Sequence, residues 1–91
     1  MVELFWSERF TKNYRKWVER HPELREEFAD RIRLFAENPF SPRLKTHSLS
    51  GNLQGLWAFS INYHYRLVFQ FPDDDRTKAI LEDIGTHDEV Y

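Results

Sequence analysis

The chain has no cysteine. Disulfides, thiolate zinc sites, iron–sulfur clusters and cysteine nucleophiles are excluded with it. Glycine is scarce, at three residues. Two of these fall in Gly51-Asn52-Leu53-Gln54-Gly55, which lacks the lysine and the following helix of a phosphate loop and reads as a turn. No apolar run approaches the ~20 residues of a membrane helix, and no signal-peptide pattern opens the chain. The expected address is cytoplasmic, with no membrane partner. None of the four histidines, His21, His47, His64 and His87, is paired at i+3 or i+4, so no metal-ligand spacing is present and no metal or other cofactor is expected. A site built from His47, His64 and His87 with Asp88 has no support from spacing. Ser48, Ser50 and Ser60 lack a nucleophile-elbow context.

The most informative absence is of one charge sign. Residues 38–72 contain no aspartate or glutamate, although the chain has 15 acidic residues in 91. This stretch carries Arg43, Lys45 and Arg66, together with His47 and His64 and seven aromatics. Residues 1–37 hold eight acids and eight bases, and residues 73–91 hold seven acids and two bases. The formal net charge of −2 argues against a nucleic-acid partner only if charge is evenly spread. An anionic ligand would meet no repulsive carboxylate along 38–72. Interior strand, where charge is rare anyway, accounts for the stretch equally well.

At 91 residues and 11.1 kDa the chain makes one domain, residues 1–91. Such a domain buries only about 60–65% of its unfolded surface, leaving little room for an enclosed cofactor cavity. Val2–Trp6 reads as a strand. Ser7 can cap the helix that follows, in which Phe10, Tyr14, Trp17 and Val18 share one face. His21-Pro22 breaks that helix. A second helix carries Leu24, Phe28, Ile32, Phe35 and Ala36 at helical spacing and ends by Asn38-Pro39 and Pro42. Beyond Pro42 the period becomes two. Leu56–Ile61 and Tyr65–Phe71 alternate around a tight turn at Asn62-Tyr63-His64, and Lys78–Ile84 makes a further strand before a tail from Gly85. The order β-α-α-β-β-β predicts an α+β fold, a helical hairpin packed on a mostly antiparallel four-stranded sheet.

The remaining chemistry suits a phosphodiester. Cleaving RNA through its own 2′-hydroxyl needs a base, an acid for the leaving 5′-oxygen, and a cation for the charge on phosphorus. Histidine performs either proton transfer near neutrality, and arginine makes forked bonds to phosphate oxygens. Arg66 lies on the polar face of a central strand beside Tyr65. His87 and Tyr91 lie beyond the last strand, four residues apart, and Lys45 and His47 lie at the entry to the first meander strand. Each has a plainer reading. Arg66 would pair with a carboxylate on a neighbouring strand, His47 and His64 would be solvated loop histidines, and His87 and Tyr91 would belong to a frayed tail.

The segments Leu44-Lys45-Thr46-His47-Ser48-Leu49-Ser50-Gly51, Gly55-Leu56-Trp57, Tyr65-Arg66-Leu67-Val68-Phe69-Gln70-Phe71 and Ile84-Gly85-Thr86-His87-Asp88-Glu89-Val90-Tyr91 together resemble the RelE/ParE superfamily of toxins from type II toxin–antitoxin modules. They are most similar to the RelE, YafQ and YoeB branch of ribosome-dependent mRNA interferases. The likeness covers nearly the whole chain and rests on the order and spacing of short motifs. It implies an endoribonuclease whose partners are a cognate antitoxin and mRNA on the ribosome. It implies catalytic roles for Arg66 in phosphate stabilisation, His87 as general acid, His47 as base or phosphate ligand, and Tyr91 in orienting a base or proton relay. Lys45, Arg43, His64 and Tyr65 are then the expected substrate-binding residues. Two departures stand out. Trp57 and Phe59 occupy places where RelE carries lysines, and Ser60 aligns with a YafQ-type histidine. ParE-like relatives on the same scaffold poison DNA gyrase, so a non-catalytic gyrase inhibitor and a degenerate toxin serving only as a binding partner remain alternatives.

Overall fold

Local chain chemistry sets the elements that carry the site. The computed structural model describes all 91 residues. In chain order these form β1 (Glu3–Trp6), α1 (Glu8–Arg20), α2 (Arg25–Glu37), β2 (His47–Ser48), β3 (Trp57–Ser60), β4 (Tyr65–Gln70), β5 (Lys78–Thr86) and α3 (His87–Val90). Ser7 caps α1 by accepting a hydrogen bond from the Phe10 N–H at 3.0 Å. Pro22 opens a single 3-10 turn that leads into α2, where its missing N–H leaves no donor unpaired. Asn62 shapes the β3–β4 turn, its side-chain oxygen accepting from the His64 and Tyr65 N–H groups at 2.9 Å each.

The sheet has five strands, in the order β1-β5-β4-β3-β2. β1 runs parallel to β5 and every other pair is antiparallel. The α+β architecture is the expected one, but the expected four strands become five. The added strand, β2, is two residues long, too short for its alternation to stand out from a loop. β5 also runs two residues past Ile84, and the expected tail folds into α3. A bulge explains why the end of β5 does not show in the alternation. Leu81 faces Phe69 and Asp83 faces Val68, so Glu82 is the extra residue, and the alternation of β5 changes phase there.

The core lies between the helical hairpin and one face of the sheet. Phe10, Phe35, Phe59, Leu67, Phe69 and Leu81 are fully buried in it, each contributing about 1.5–3 kcal/mol relative to an exposed side chain. The Phe35 ring stacks on Phe59 at 4.7 Å and meets Phe69 edge-on at 4.7 Å. Alternation along β4 sends Tyr65, Leu67 and Phe69 to this helical face and Arg66 and Val68 to the other. At the far end of the sheet the turn after Pro72 is closed by Arg76, which adopts a left-handed backbone (φ 57°). Its guanidinium lies over the rings of Trp57, Phe40 and Phe71 at 5.0, 5.2 and 5.6 Å.

Candidate active site

On the face of the sheet away from the helical hairpin, Arg66 of β4 sits opposite Gly85 of β5. Directly after Gly85 the chain turns into α3, closed by a reciprocal capping box. The Glu89 N–H donates to the Thr86 hydroxyl at 3.3 Å, and the Thr86 N–H donates to the Glu89 carboxylate at 2.7 Å. These bonds, led by the one from the Thr86 backbone, hold the Glu89 carboxyl below its ordinary range; desolvation opposes them, and Arg20 and His21 add smaller electrostatic assistance. The fit over Gly85 is close. A β-carbon there would lie 3.0 Å from Glu89 Oε1 and 3.2 Å from Val90 Cγ1. Glycine at 85 lets the four-residue helix lie against the sheet end beside Arg66.

α3 carries His87 and Tyr91 toward His47 of β2. The His87 and Tyr91 ring centroids are 4.4 Å apart in an edge-to-face arrangement. The Tyr91 hydroxyl lies 3.4 Å from His47 Nε2. His47 Nδ1 lies 2.9 Å from the Lys45 carbonyl. A carbonyl can only accept, so in the neutral ring the proton sits on Nδ1 and Nε2 carries the lone pair, pointed at the Tyr91 hydroxyl. Burial pushes the Tyr91 hydroxyl above its ordinary pKa, and the Arg66 charge partly opposes that rise. The phenol is therefore a donor throughout the neutral range.

Arg66 makes no ion pair with a neighbouring carboxylate. Its Nη1 donates to the carbonyls of Asn62 at 2.9 Å and of Tyr63 and Tyr65 at 3.2 Å each. The β3–β4 turn thus fixes the guanidinium from one side, while Nε and Nη2 have no protein acceptor. These two groups form the fork that matches two phosphate oxygens.

The structure brings together four of the expected residues, Arg66, His47, His87 and Tyr91. Lys45 adjoins them through its carbonyl, in a left-handed conformation (φ 54°) with its side chain exposed. Arg43 is exposed in the preceding 3-10 turn, its carbonyl held by Arg31 Nη1 at 3.1 Å. His64 is exposed in the β3–β4 turn, its ring 5.3 Å from that of Tyr63. Tyr65 is not at this site. It faces the helices, its hydroxyl 2.9 Å from His21 Nε2 and its ring 5.5 Å from that of Trp17. Adjacent strand residues point to opposite faces, so Tyr65 cannot share the face of Arg66. Sequence reasoning also misses the positioning pair Thr86 and Glu89. The signal is present, since Thr86-His87-Asp88-Glu89 has capping-box spacing. No three His, Asp or Glu side chains gather closely enough to hold one metal ion, and no helix is long and apolar enough to cross a membrane.

A helical hairpin on a sheet of this order, with a short terminal helix beside the arginine strand, is the fold of RelE-like toxins of type II toxin–antitoxin systems. YafQ from E. coli superposes with a TM-score of 0.80 at 18% identity, over 100% of this chain and 99% of that one. The E. coli DinJ–YafQ complex gives a TM-score of 0.78 at 18% identity over the same shares of the two chains. A metal-bound toxin from Helicobacter pylori gives 0.78 at 24% identity over the whole of both chains. No curated protein matches by sequence. The family "Bacterial toxin of type II toxin-antitoxin system, YafQ" matches residues 2–91, and the chain belongs to it.

Proposed function

We propose that this toxin is an endoribonuclease that cleaves mRNA on the ribosome by attack of the 2′-hydroxyl on the adjacent phosphodiester. The observation that supports this most directly is the gathering of His47, Tyr91, His87 and Arg66, from three separate segments, on one open face. In this reading His47 Nε2 exchanges its Tyr91 bond for the substrate 2′-hydroxyl and takes its proton. The free Nε and Nη2 of Arg66 bind the non-bridging oxygens as negative charge builds on the pentavalent phosphorus. His87 gives a proton to the departing 5′-oxygen. The products are a 2′,3′-cyclic phosphate and a 5′-hydroxyl. All three functions are supplied by protein groups, so the proposed reaction draws on no metal.

In this reading Lys45 and Arg43, neither of them in an ion pair, bind phosphates beside the scissile one. A cognate antitoxin is the proposed protein partner, as DinJ is for the structurally similar YafQ, and the cytoplasm is the proposed compartment. Induction followed by primer extension on mRNA, with and without ribosomes, tests the proposal. Discrete cuts that require ribosomes and vanish with Arg66→Ala are expected. Growth arrest that persists in an Arg66→Ala, His87→Ala double variant would overturn it and favour a non-catalytic ParE-like inhibitor of DNA gyrase. Absence of any arrest would mark a degenerate toxin acting only as a binding partner.

A further inference from the structure

A second concentration of positive charge lies on α1, which carries five bases and two acids in a chain of net charge −2. Of the five, only Arg9 is in an ion pair, with Asp83 at 3.1 Å. Lys12, Arg15 and Lys16 line a cleft of about 420 Å³ between α1 and the end of β1, together with Trp6, Glu8 and Thr11. Glu8, Lys12 and Lys16 follow one another at i+4, and Thr11 and Arg15 form the adjoining row, so the cleft runs along one stripe of the helix.

Trp6 is the one apolar lining residue. One side of its indole is used in packing, with Phe10 at 4.8 Å and Tyr14 at 5.1 Å, yet 43% of the residue is exposed. None of the three neighbouring cations covers it, unlike Arg76, which lies over the Trp57 ring. An uncovered indole beside three unpaired cations supplies both halves of nucleotide recognition, a surface for a base to stack on and charge for the phosphates on either side of it. An acidic peptide would also answer the three cations, but it would show no preference for a base stacked on Trp6.

We propose that the Trp6–α1 cleft is an RNA-binding exosite that stacks one unpaired base on Trp6 and holds the flanking phosphodiesters on Lys12, Arg15 and Lys16. The proposal rests on the ribonuclease reading only in that its ligand is RNA. The cleft is separate from Arg66, His47, His87 and Tyr91. Its test is therefore binding by the Arg66→Ala chain, measured apart from cleavage.

The probe is a fluorescently labelled hexamer of 2′-deoxyuridine, which lacks the attacking hydroxyl, followed by anisotropy at several salt concentrations. A hexamer of the same backbone with abasic residues and a polyglutamate of similar charge are measured beside it. The base-bearing hexamer is expected to bind about tenfold more tightly than the abasic one, the size of one base–aromatic stack. The Lys12→Ala, Arg15→Ala, Lys16→Ala variant is expected to weaken binding at least tenfold and to reduce the slope of log affinity against log salt by about 2. Trp6→Phe should retain part of the base preference and Trp6→Ala should remove it, with thermal melting confirming that each variant is folded. Equal binding of base-bearing and abasic probes would overturn the proposal, as would unchanged binding by the triple variant. Tighter binding of polyglutamate than of the hexamer would also overturn it and assign the cleft to an acidic protein segment. Loss of hexamer binding when His87→Ala is added to the Arg66→Ala chain would place the ligand at the other site and sink the proposal too.

Discussion

Two arginines at opposite ends of the sheet are satisfied in different ways. Arg76, though exposed, lies against the rings of Phe40, Trp57 and Phe71. Arg66 is gripped along one side by three turn carbonyls and left open on the other. These ring contacts tie down a turn that carries Asp73, Asp74 and Asp75, at the end of the sheet away from Arg66. Carbonyls orient a guanidinium without neutralising it, because a dipole cannot cancel a full charge. The same side chain is thus a fastening at one end and is left with free donors at the other, and what surrounds it decides which.

The comparison breaks most plainly if the two arginines respond alike to removal. Arg66→Ala is expected to lower the mRNA cleavage rate about 10²- to 10³-fold, the scale of losing a group that stabilises transition-state charge, with little change in melting temperature. A melting temperature that falls along with the rate would make Arg66 another fastening. Gly85→Ala is next in size. The added methyl makes Glu89 and Val90 give by a few tenths of an ångström and shifts α3 with His87 and Tyr91, so cleavage should drop about tenfold although neither His87 nor Tyr91 is altered. NMR shifts confined to α3 and the end of β5 would support this cause, whereas general unfolding would contradict it.

Tyr91→Phe removes the donor to His47 Nε2 but keeps the ring against His87. The proposed reaction gives this bond up before the 2′-hydroxyl is attacked, so the rate is expected to hold within about tenfold, and an unchanged pH–rate profile would show that the hydroxyl does not act on His47. Arg76→Ala should reverse the pattern of Arg66. Stability falls by about 0.5–1 kcal/mol through the lost cation–π contacts of an exposed arginine, with a melting temperature lower by about 2–8 °C, and cleavage by the folded fraction persists.

The smallest effect concerns acid. The Glu89 carboxyl is held below its ordinary pKa, so its contribution to α3 is complete above the unfolded value and is lost as pH falls through the folded one. Amide exchange in α3 should therefore rise at acid pH before the β3–β4 hairpin loosens. In Glu89→Gln that early step should disappear.

Much of this frame is legible in the sequence. The helical hairpin and β3–β4 are written in clean periods, with Ser7, Pro22 and Asn62 as punctuation. β2 is not, since two residues cannot display a period. The end of β5 is masked by the bulge at Glu82, which throws Ala79 and Leu81 out of phase with Ile84. The site is less legible than the fold. His47, Arg66 and Tyr91 lie far apart along the chain, and spacing carries no sign that β2, β4 and α3 converge. Only resemblance to known toxins singles them out. Tyr65 is a different case, because strand alternation alone suffices to separate it from Arg66. In one dimension Trp6 shows only as part of an apolar strand, and α1 only as a solvated face. Neither the exposed side of the indole nor the cleft beside it is visible there.

The parallel pairing of β1 with β5 has a consequence for how the molecule comes into being. Glu3 lies beside Lys78, so the first strand to be synthesised waits for nearly the last before it has a neighbour. The helical hairpin and the β3–β4 hairpin close from short-range contacts, whereas this seam must close a loop of most of the chain and is expected to be the slow step of folding. The end of β5 that leads into α3 pairs instead with β4, Thr86 beside Tyr65 and Gly85 beside Arg66, so α3 reaches Arg66 through a local hairpin that does not involve β1. The residues around Arg66 are therefore expected to gather before the parallel seam closes.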